Sequence, residues 1–192
     1  MQPIVLASTS RYRRELLARL RIPFAVAAPS IDEAALPGEA PEATARRLAL
    51  AKAQAIAATR AGAIVIGSDQ VADVDGEPLS KPGTHDAALA QLQRMQGRSI
   101  VFHTALAVVH GAHAQLDSIP TTVHFRTLPR AALEAYLNAE QPYDCAGAAK
   151  IEALGIVLVD AVHADDPTAL IGLPLIRLTS MLAACGIDLP LR

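Results

Sequence analysis

Ala63-Ile64-Val65-Ile66-Gly67-Ser68-Asp69-Gln70-Val71 is the stretch that decides the fold. Ala63–Ile66 is a short β-branched apolar run and predicts a buried strand. The run leads straight into Ser68-Asp69-Gln70. This puts the Asp69 carboxylate at the strand's carboxyl end, the edge where open α/β sheets bind ligands. Asp75-Gly76 is a two-residue hairpin signal, so Val71 to Ser80 should fold back on itself. That return carries Lys81 toward Asp69. An acid and a base converging at one end of a sheet suit a site for phosphate or metal. A polar turn with a solvated ion pair has the same pattern and is about as common.

Working outward, Ile4–Ala7 reads as a buried strand and Phe24–Ala27 as a shorter one. Helical spacing predicts helices over Arg11–Leu20, Glu42–Arg60, Asp86–Gln96, Pro129–Asn138 and Pro174–Cys185. Ser10 and Thr84 are good caps, and Gly62, Gly97 and Gly186 are stop signals. Ser99–His110 is a long strand-like run, turning at Gly111-Ala112 into a return strand through Val123-His124-Phe125. Ile156–Val159 reads as a further strand. Strands and helices interleave throughout, which predicts an α/β fold with a mixed sheet.

The 192 residues suffice for one domain or for two lobes sharing a sheet, and 52% are hydrophobic, enough for a sizeable core. A net charge of −2 and the scarcity of aromatics argue against a nucleic-acid or anionic-membrane surface, so affinity for an anion must come from a local cluster. Cys145 and Cys185 form neither a metal-ligand spacing nor a disulfide framework and fit a reducing compartment. His110 and His113 have metal-like spacing but fall on a turn without a third ligand. No leader or membrane span is apparent, and a cytoplasmic protein is expected.

Ser8-Thr9-Ser10 joins a strand to a helix start, where free N–H groups and the positive helix end favour phosphate. Arg11, Arg13 and Arg14 follow at once; an ordinary capped helix with a basic surface would read the same. Asp32-Glu33 could hold a hard cation or be solvated. Lys52 sits among alanines, either snorkelling to water or aimed at a ligand across a groove. A triphosphate needs cations from several elements, and Ser8, Arg13, Lys52 and Lys81 are the available set. Asp69 could activate water or hold a metal, with Glu33 as the second acid.

Leu6-Ala7-Ser8-Thr9-Ser10 with Arg13-Arg14, Lys52, Gly67-Ser68-Asp69-Gln70-Val71 with Lys81-Pro82, Cys145-Ala146-Gly147 with Lys150 and Glu152, and Ile171-Gly172-Leu173-Pro174-Leu175 together resemble one family. In this order they are similar to the Maf-type nucleoside triphosphate pyrophosphatases over nearly the full chain, residues 1–192 forming one such domain. Ser-Asp-Gln resembles the 7-methyl-GTP branch rather than the dTTP/UTP branch. The resemblance implies an elongated mixed sheet with flanking helices and two lobes around a central cleft, as in inosine triphosphate pyrophosphatases. It implies hydrolysis of a nucleoside triphosphate to monophosphate and pyrophosphate with a divalent metal (Mg²⁺, Mn²⁺ or Co²⁺), for which the residues themselves offer Asp69 and Glu33 as the candidate ligands. By resemblance Asp69 is the proton acceptor, assisted by Lys52 and Lys81, and Tyr12, Gln70 and Glu152 read the base. Tyr12 stands where this branch more typically has Trp, and Arg11 replaces a common Pro. The implied partner is the nucleotide, with neither nucleic acid nor membrane, and a homodimer is allowed. The rival readings are a dTTP/UTP pyrophosphatase and a non-catalytic nucleotide sensor linked to cell division.

Overall fold

The computed structural model describes residues 2–79 and 81–190. In chain order the elements are β1 (Ile4–Ala7), α1 (Arg11–Ala18), β2 (Ala25–Ala27), α2 (Pro41–Ala57), β3 (Ile64–Val74), β4 (Glu77–Leu79) and α3 (His85–Met95). They continue as β5 (Ser99–His110), β6 (His113–Phe125), α4 (Arg130–Glu140), β7 (Val159–Ala164) and α5 (Leu175–Ala184). Short 3-10 turns at Ala146–Ala148 and Leu154–Leu158 interrupt the connection from α4 to β7. The seven strands form one mixed sheet in the order β2-β1-β3-β5-β6-β7, with β4 also paired to β3. β1 runs parallel to β3, whereas β5 and β4 are antiparallel to it.

Side-chain alternation along β3 assigns its neighbours. Ile64 and Ile66 pack with Leu16 and Leu17 of α1 and Leu178 and Leu182 of α5. Val65 and Val71 face the other way, onto Ala45, Ala49 and Ala53 of α2. Those alanines recur every four residues, so the helix meets the sheet on a stripe of small side chains. Gly67 completes that contact: a Cβ there would lie 2.3 Å from the Ala49 carbonyl oxygen and 2.9 Å from the Ala53 Cβ. Farther along, Ala72 and Val74 join a separate core with Leu89 and Leu92 of α3 and Leu133 and Leu137 of α4. The long strands therefore carry two lobes, and a cleft lies where the sheet passes from one to the other.

The hairpin at Asp75-Gly76 forms as expected. Val74 pairs with Glu77, both turn residues have positive φ (55° and 84°), and the Gly76 N–H donates to Asp73 Oδ1. The expected end of that hairpin, Ser80, lies outside the described residues.

Two expectations change. β3 does not end before Ser68-Asp69-Gln70 but runs through them to Val74, because β5 stays in register alongside it from Ile64 to Asp73. Asp69 is thus mid-strand. Ile156–Val159 is also not a strand: a 3-10 turn occupies Leu154–Leu158, and β7 begins at Val159. The turn is forced by Gly155, whose N–H donates to the Lys150 carbonyl and whose absent Cβ would lie 2.5 Å from that oxygen. A short apolar run fits strand or turn equally on pattern alone. Smaller boundary shifts occur as well; α4 runs two residues beyond Asn138, to Glu140.

Candidate active site

An interruption in the sheet makes the site. On one edge of β3, β1 pairs as far as Ile66 and β4 only from Ala72, so among the described residues Gly67–Val71 has no strand partner on that side. The chain leaving β1 (Ser8–Ser10) and the chain leaving β4 (Lys81) flank the opening. A cleft of about 780 Å³ occupies it, within the range of small-molecule sites. Asp69 therefore reaches the ligand side through a gap in the edge, not from a strand terminus.

The first end of the cleft is an ion cluster whose central pair, Lys52 and Asp69, is borne on regular elements, with Glu33 on a loop. Gly67 lets α2 settle so closely that Lys52, one helical step from Ala49 and Ala53, lies over β3. Its Nζ donates to Asp69 Oδ1 at 2.7 Å and to Glu33 Oε2 at 3.0 Å. Lys52 is 4% exposed and Asp69 7%. Lys52 is thus no snorkelling surface lysine: a desolvated ammonium and carboxylate hold each other in place. The loop bearing Glu33 is fastened to α2 by Glu39, which accepts from Arg47 Nε and Nη2 at 2.7 and 2.6 Å, from Thr44 Oγ1 and from the Leu36 N–H. The Arg47 guanidinium is the main reason that the Glu39 carboxyl is lowered to about 2. Arg47 also donates to the Ala34 carbonyl.

Ser10 caps α1, accepting from the Arg13 N–H. The Arg13 Nε donates to the Gly172 carbonyl at 2.9 Å, and Asp69 and Glu33 are close enough to act on its charge. Burial lowers the Arg13 pKa, and those two carboxylates oppose the change. The same Gly172 oxygen accepts from Ser68 Oγ, a fully buried hydroxyl that also donates to Ala105. Ser8 is buried at the cleft wall and accepts from the Ser10 N–H. Lys81 lines the cleft and is exposed; among the described residues it makes no ion pair with Asp69, whose Oδ1 is taken by Lys52.

The second end is built by Tyr12 and the irregular connection after α4. Asp144, Cys145 and Glu152 line it. Tyr12 has Arg11 5.2 Å and Lys150 5.5 Å from its ring centroid. Burial raises its hydroxyl pKa, Cys145 and Asp144 add to this, and Lys150 opposes it. Lys150 is bound to Glu140 at 2.5 Å, and that carboxylate raises its pKa above the ordinary lysine range. Glu152 is solvent-accessible at the rim, yet the surrounding protein raises its carboxyl above the ordinary value, with Lys150 opposing. Burial, then the neighbouring Asp144, pushes the Cys145 thiol up to about 12, so it is no thiolate nucleophile. Among the described residues neither Asp144 nor Glu152 has an ion-pair partner, so Lys150 leaves Glu152 unpaired.

Gln70 lines the cleft between the two ends. Its amide nitrogen donates to Thr104 Oγ1, the Ala169 carbonyl and the Leu170 carbonyl. Both N–H groups are committed, so only its oxygen is left to offer a ligand.

A model of the family described as Maf-like protein matches residues 3–185. The chain belongs to that family. Curated relatives named 7-methyl-GTP pyrophosphatase include those of Bordetella pertussis (58% identical over 96% of this chain and 93% of the relative) and Thiobacillus denitrificans (60%, over 96% and 93%). The Burkholderia thailandensis relative of that name is 59% identical over 97% of this chain and 89% of its own. Among solved structures, the Staphylococcus aureus Ham1 protein aligns with a TM-score of 0.47 and 16% identity over 65% of this chain and 72% of that one.

Ser8, Tyr12, Arg13, Glu33, Lys52, Asp69, Gln70, Lys81 and Glu152, the residues singled out in this Maf-like chain by sequence, all line the one cleft. Sequence reasoning passed over four that shape it. Ser68 and Thr104 are fully buried polar anchors for the 169–172 loop. Asp166 is 3% exposed and accepts from the Ile176 and Arg177 N–H groups, fixing the start of α5 below Gly172. Asp144, at the second end, was not singled out. Only Ser68 carried a local signal, as a hydroxyl inside an apolar strand.

Proposed function

We propose that the protein hydrolyses 7-methyl-GTP to the nucleoside monophosphate and pyrophosphate. The observation that carries this reading is the segregation of charge along one cleft. At one end Arg13 and Lys52 act on Asp69 and Glu33, and Lys81 lines the same cleft; at the other, the carboxylates of Asp144 and Glu152 have, among the described residues, no ion-pair partner beside Tyr12. A triphosphate on a positively charged base has the complementary polarity. The names of the relatives support the same assignment.

In this reading Ser8 and the α1 N-terminus, with Arg13, Lys52 and Lys81, hold the triphosphate. A water at the α-phosphorus gives its proton to Asp69 as its oxygen bonds to phosphorus. The bridging bond to the β-phosphate breaks, and its electron pair leaves with pyrophosphate. General-base assistance of this kind supplies about 10²–10⁴ in rate, and clamping of charge by the cations supplies much of the remainder. At the far end Glu152 accepts from the guanine N1–H and amino group, the Gln70 oxygen lies nearby, and Tyr12 offers an aromatic face.

The donors fit a divalent cation. Lys52 takes Asp69 Oδ1 and Glu33 Oε2, at 2.7 and 3.0 Å, so the cation would be held by the other oxygen of each carboxylate. No cluster of three His, Cys, Asp or Glu side chains suited to a metal occurs among the described residues. Two carboxylates plus phosphate oxygens and water are the usual setting for Mg²⁺. Bound there, Mg²⁺, Mn²⁺ or Co²⁺ would neutralise phosphate charge.

The test is pyrophosphate release from equal concentrations of 7-methyl-GTP, GTP, dTTP and UTP with each metal in turn. An unpaired Glu152 costs about 1–3 kcal/mol, so 7-methyl-GTP should exceed dTTP at least about tenfold in kcat/KM, and Glu152→Gln should abolish the difference. Better turnover of dTTP or UTP would overturn the base assignment. Release from none of the four would overturn the reaction class.

A further inference from the structure

The base end contains a charge that the function above does not use. Lys150 lies two residues before Glu152, close enough to act on its carboxyl, and would be its natural partner. It is turned away instead. Its ammonium is bound to Glu140 at 2.5 Å, with both side chains about 15% exposed, and lies 5.5 Å from the Tyr12 ring centroid. Glu140 is the last residue of α4 and does not line the cleft. Its second oxygen accepts from the Leu154 N–H at 3.4 Å, which ties the same carboxylate to the turn following Glu152.

We propose that Glu140 is a positioning residue for base selection: by holding Lys150 it keeps the Glu152 carboxylate free for a cationic base. The inference rests on the base preference proposed above. With Glu140 neutral, Lys150 still has the Glu152 carboxylate within electrostatic reach, and Glu152 faces the cleft. A lysine swung onto Glu152 would cancel the charge that attracts the base and fill part of its space. The aromatic face is affected as well, since Lys150 competes there with any cationic ring.

Glu140→Gln keeps the acceptor for the Leu154 N–H but removes the charge. It should raise KM for 7-methyl-GTP about fivefold, the worth of one partly exposed ion pair (about 1 kcal/mol), with kcat within about twofold and KM for dTTP unmoved. Glu140→Gln/Lys150→Met should restore the wild-type KM, because no cation remains to occupy Glu152. A merely structural role for Glu140 would not be rescued this way. Independently of any substrate, ¹³C-detected titration of the Glu152 carboxyl should move to lower pH in Glu140→Gln and return in the double variant. If Glu140→Gln alone does not fold, Lys150→Met serves, and Glu152 should then titrate at or above its wild-type position. An unmoved KM and unmoved Glu152 titration in Glu140→Gln, or no rescue by the second substitution, would overturn the inference. Should the wild-type protein fail to prefer 7-methyl-GTP, the base assignment falls, while the titration still decides what Glu140 does.

Discussion

The two ends of the cleft are made of different material. Asp69 sits inside an 11-residue strand and Lys52 inside a 17-residue helix, held 2.7 Å apart by a helix–sheet contact with no room for a methyl group at Gly67. Asp144, Cys145 and Glu152 sit on an irregular connection of turns and 3-10 segments. Groups on regular elements are held to tighter tolerance than groups on loops. The phosphates are common to every nucleoside triphosphate and want that rigid end; the base is what differs, and it meets the end that sequence change can remodel without disturbing the sheet. The electrostatics differ in the same sense. Acids at the first end are already engaged by Lys52, whereas Asp144 and Glu152 at the second have no ion pair among the described residues.

If that contrast is right, substitutions at the first end should cost stability as well as rate, and those at the second selectivity alone. The largest effect should come from Lys52→Met. Removing one partner of a buried pair costs about 3–5 kcal/mol, so urea unfolding should shift by that order and turnover should collapse. Asp69→Asn keeps the shape and should lower kcat by about 10²-fold with an unchanged far-ultraviolet spectrum. Turnover within threefold of the parent would remove Asp69 from the chemistry. Gly67→Ala pushes a Cβ against backbone of α2, which cannot swing aside; overpacking of this kind costs about 1–3 kcal/mol. Activity should fall with it, since Lys52 moves with the helix. By contrast, Glu152→Gln should leave the melting temperature unchanged. A matching loss of stability there would break the comparison.

The smallest effect is a pH dependence at the first end. Arg47 holds the Glu39 carboxyl down at about 2, against an ordinary value of 4.5. A depressed carboxyl contributes stability that is complete above its unfolded pKa and is lost as pH falls through the folded one. The melting temperature should therefore decline between about pH 4.5 and 2, and Glu39→Gln should show a shallower decline over that window. Equal slopes would show that the loop carrying Glu33 is not secured by this pair.

What could be read from the chain follows from how local each determinant is. Ser10 caps α1, and Asp75-Gly76 turns the hairpin, through contacts within three residues. Both were visible. The position of Asp69 was not, because the end of β3 is set by β5, some forty residues on, and the opening beside it by where β1 stops and β4 starts. Gln70 was expected by resemblance to read the base; that its N–H groups are already committed was not legible, because its acceptors at Ala169 and Leu170 come from about a hundred residues away. The turn at Leu154–Leu158 was missed because the pattern Ile-Val-Leu-Val is indifferent between strand and turn, while the close approach of Gly155 to Lys150 decides it. Lys52 lay between two readings until Gly67 and the alanine stripe of α2 were seen to meet.

The break in the edge of β3 has a bearing on what can enter. An open strand edge invites any extended peptide to add itself to a sheet. Here the opening spans Gly67–Val71, about 17 Å at roughly 3.4 Å per residue, and is closed at one end by β1 and at the other by β4. A strand entering there could pair over at most five residues before it met β1 at one end or β4 at the other. A nucleotide fits the interval lengthwise. The sheet is thus left open over a segment about the length of a small molecule, with β1 and β4 closing the same edge on either side of it.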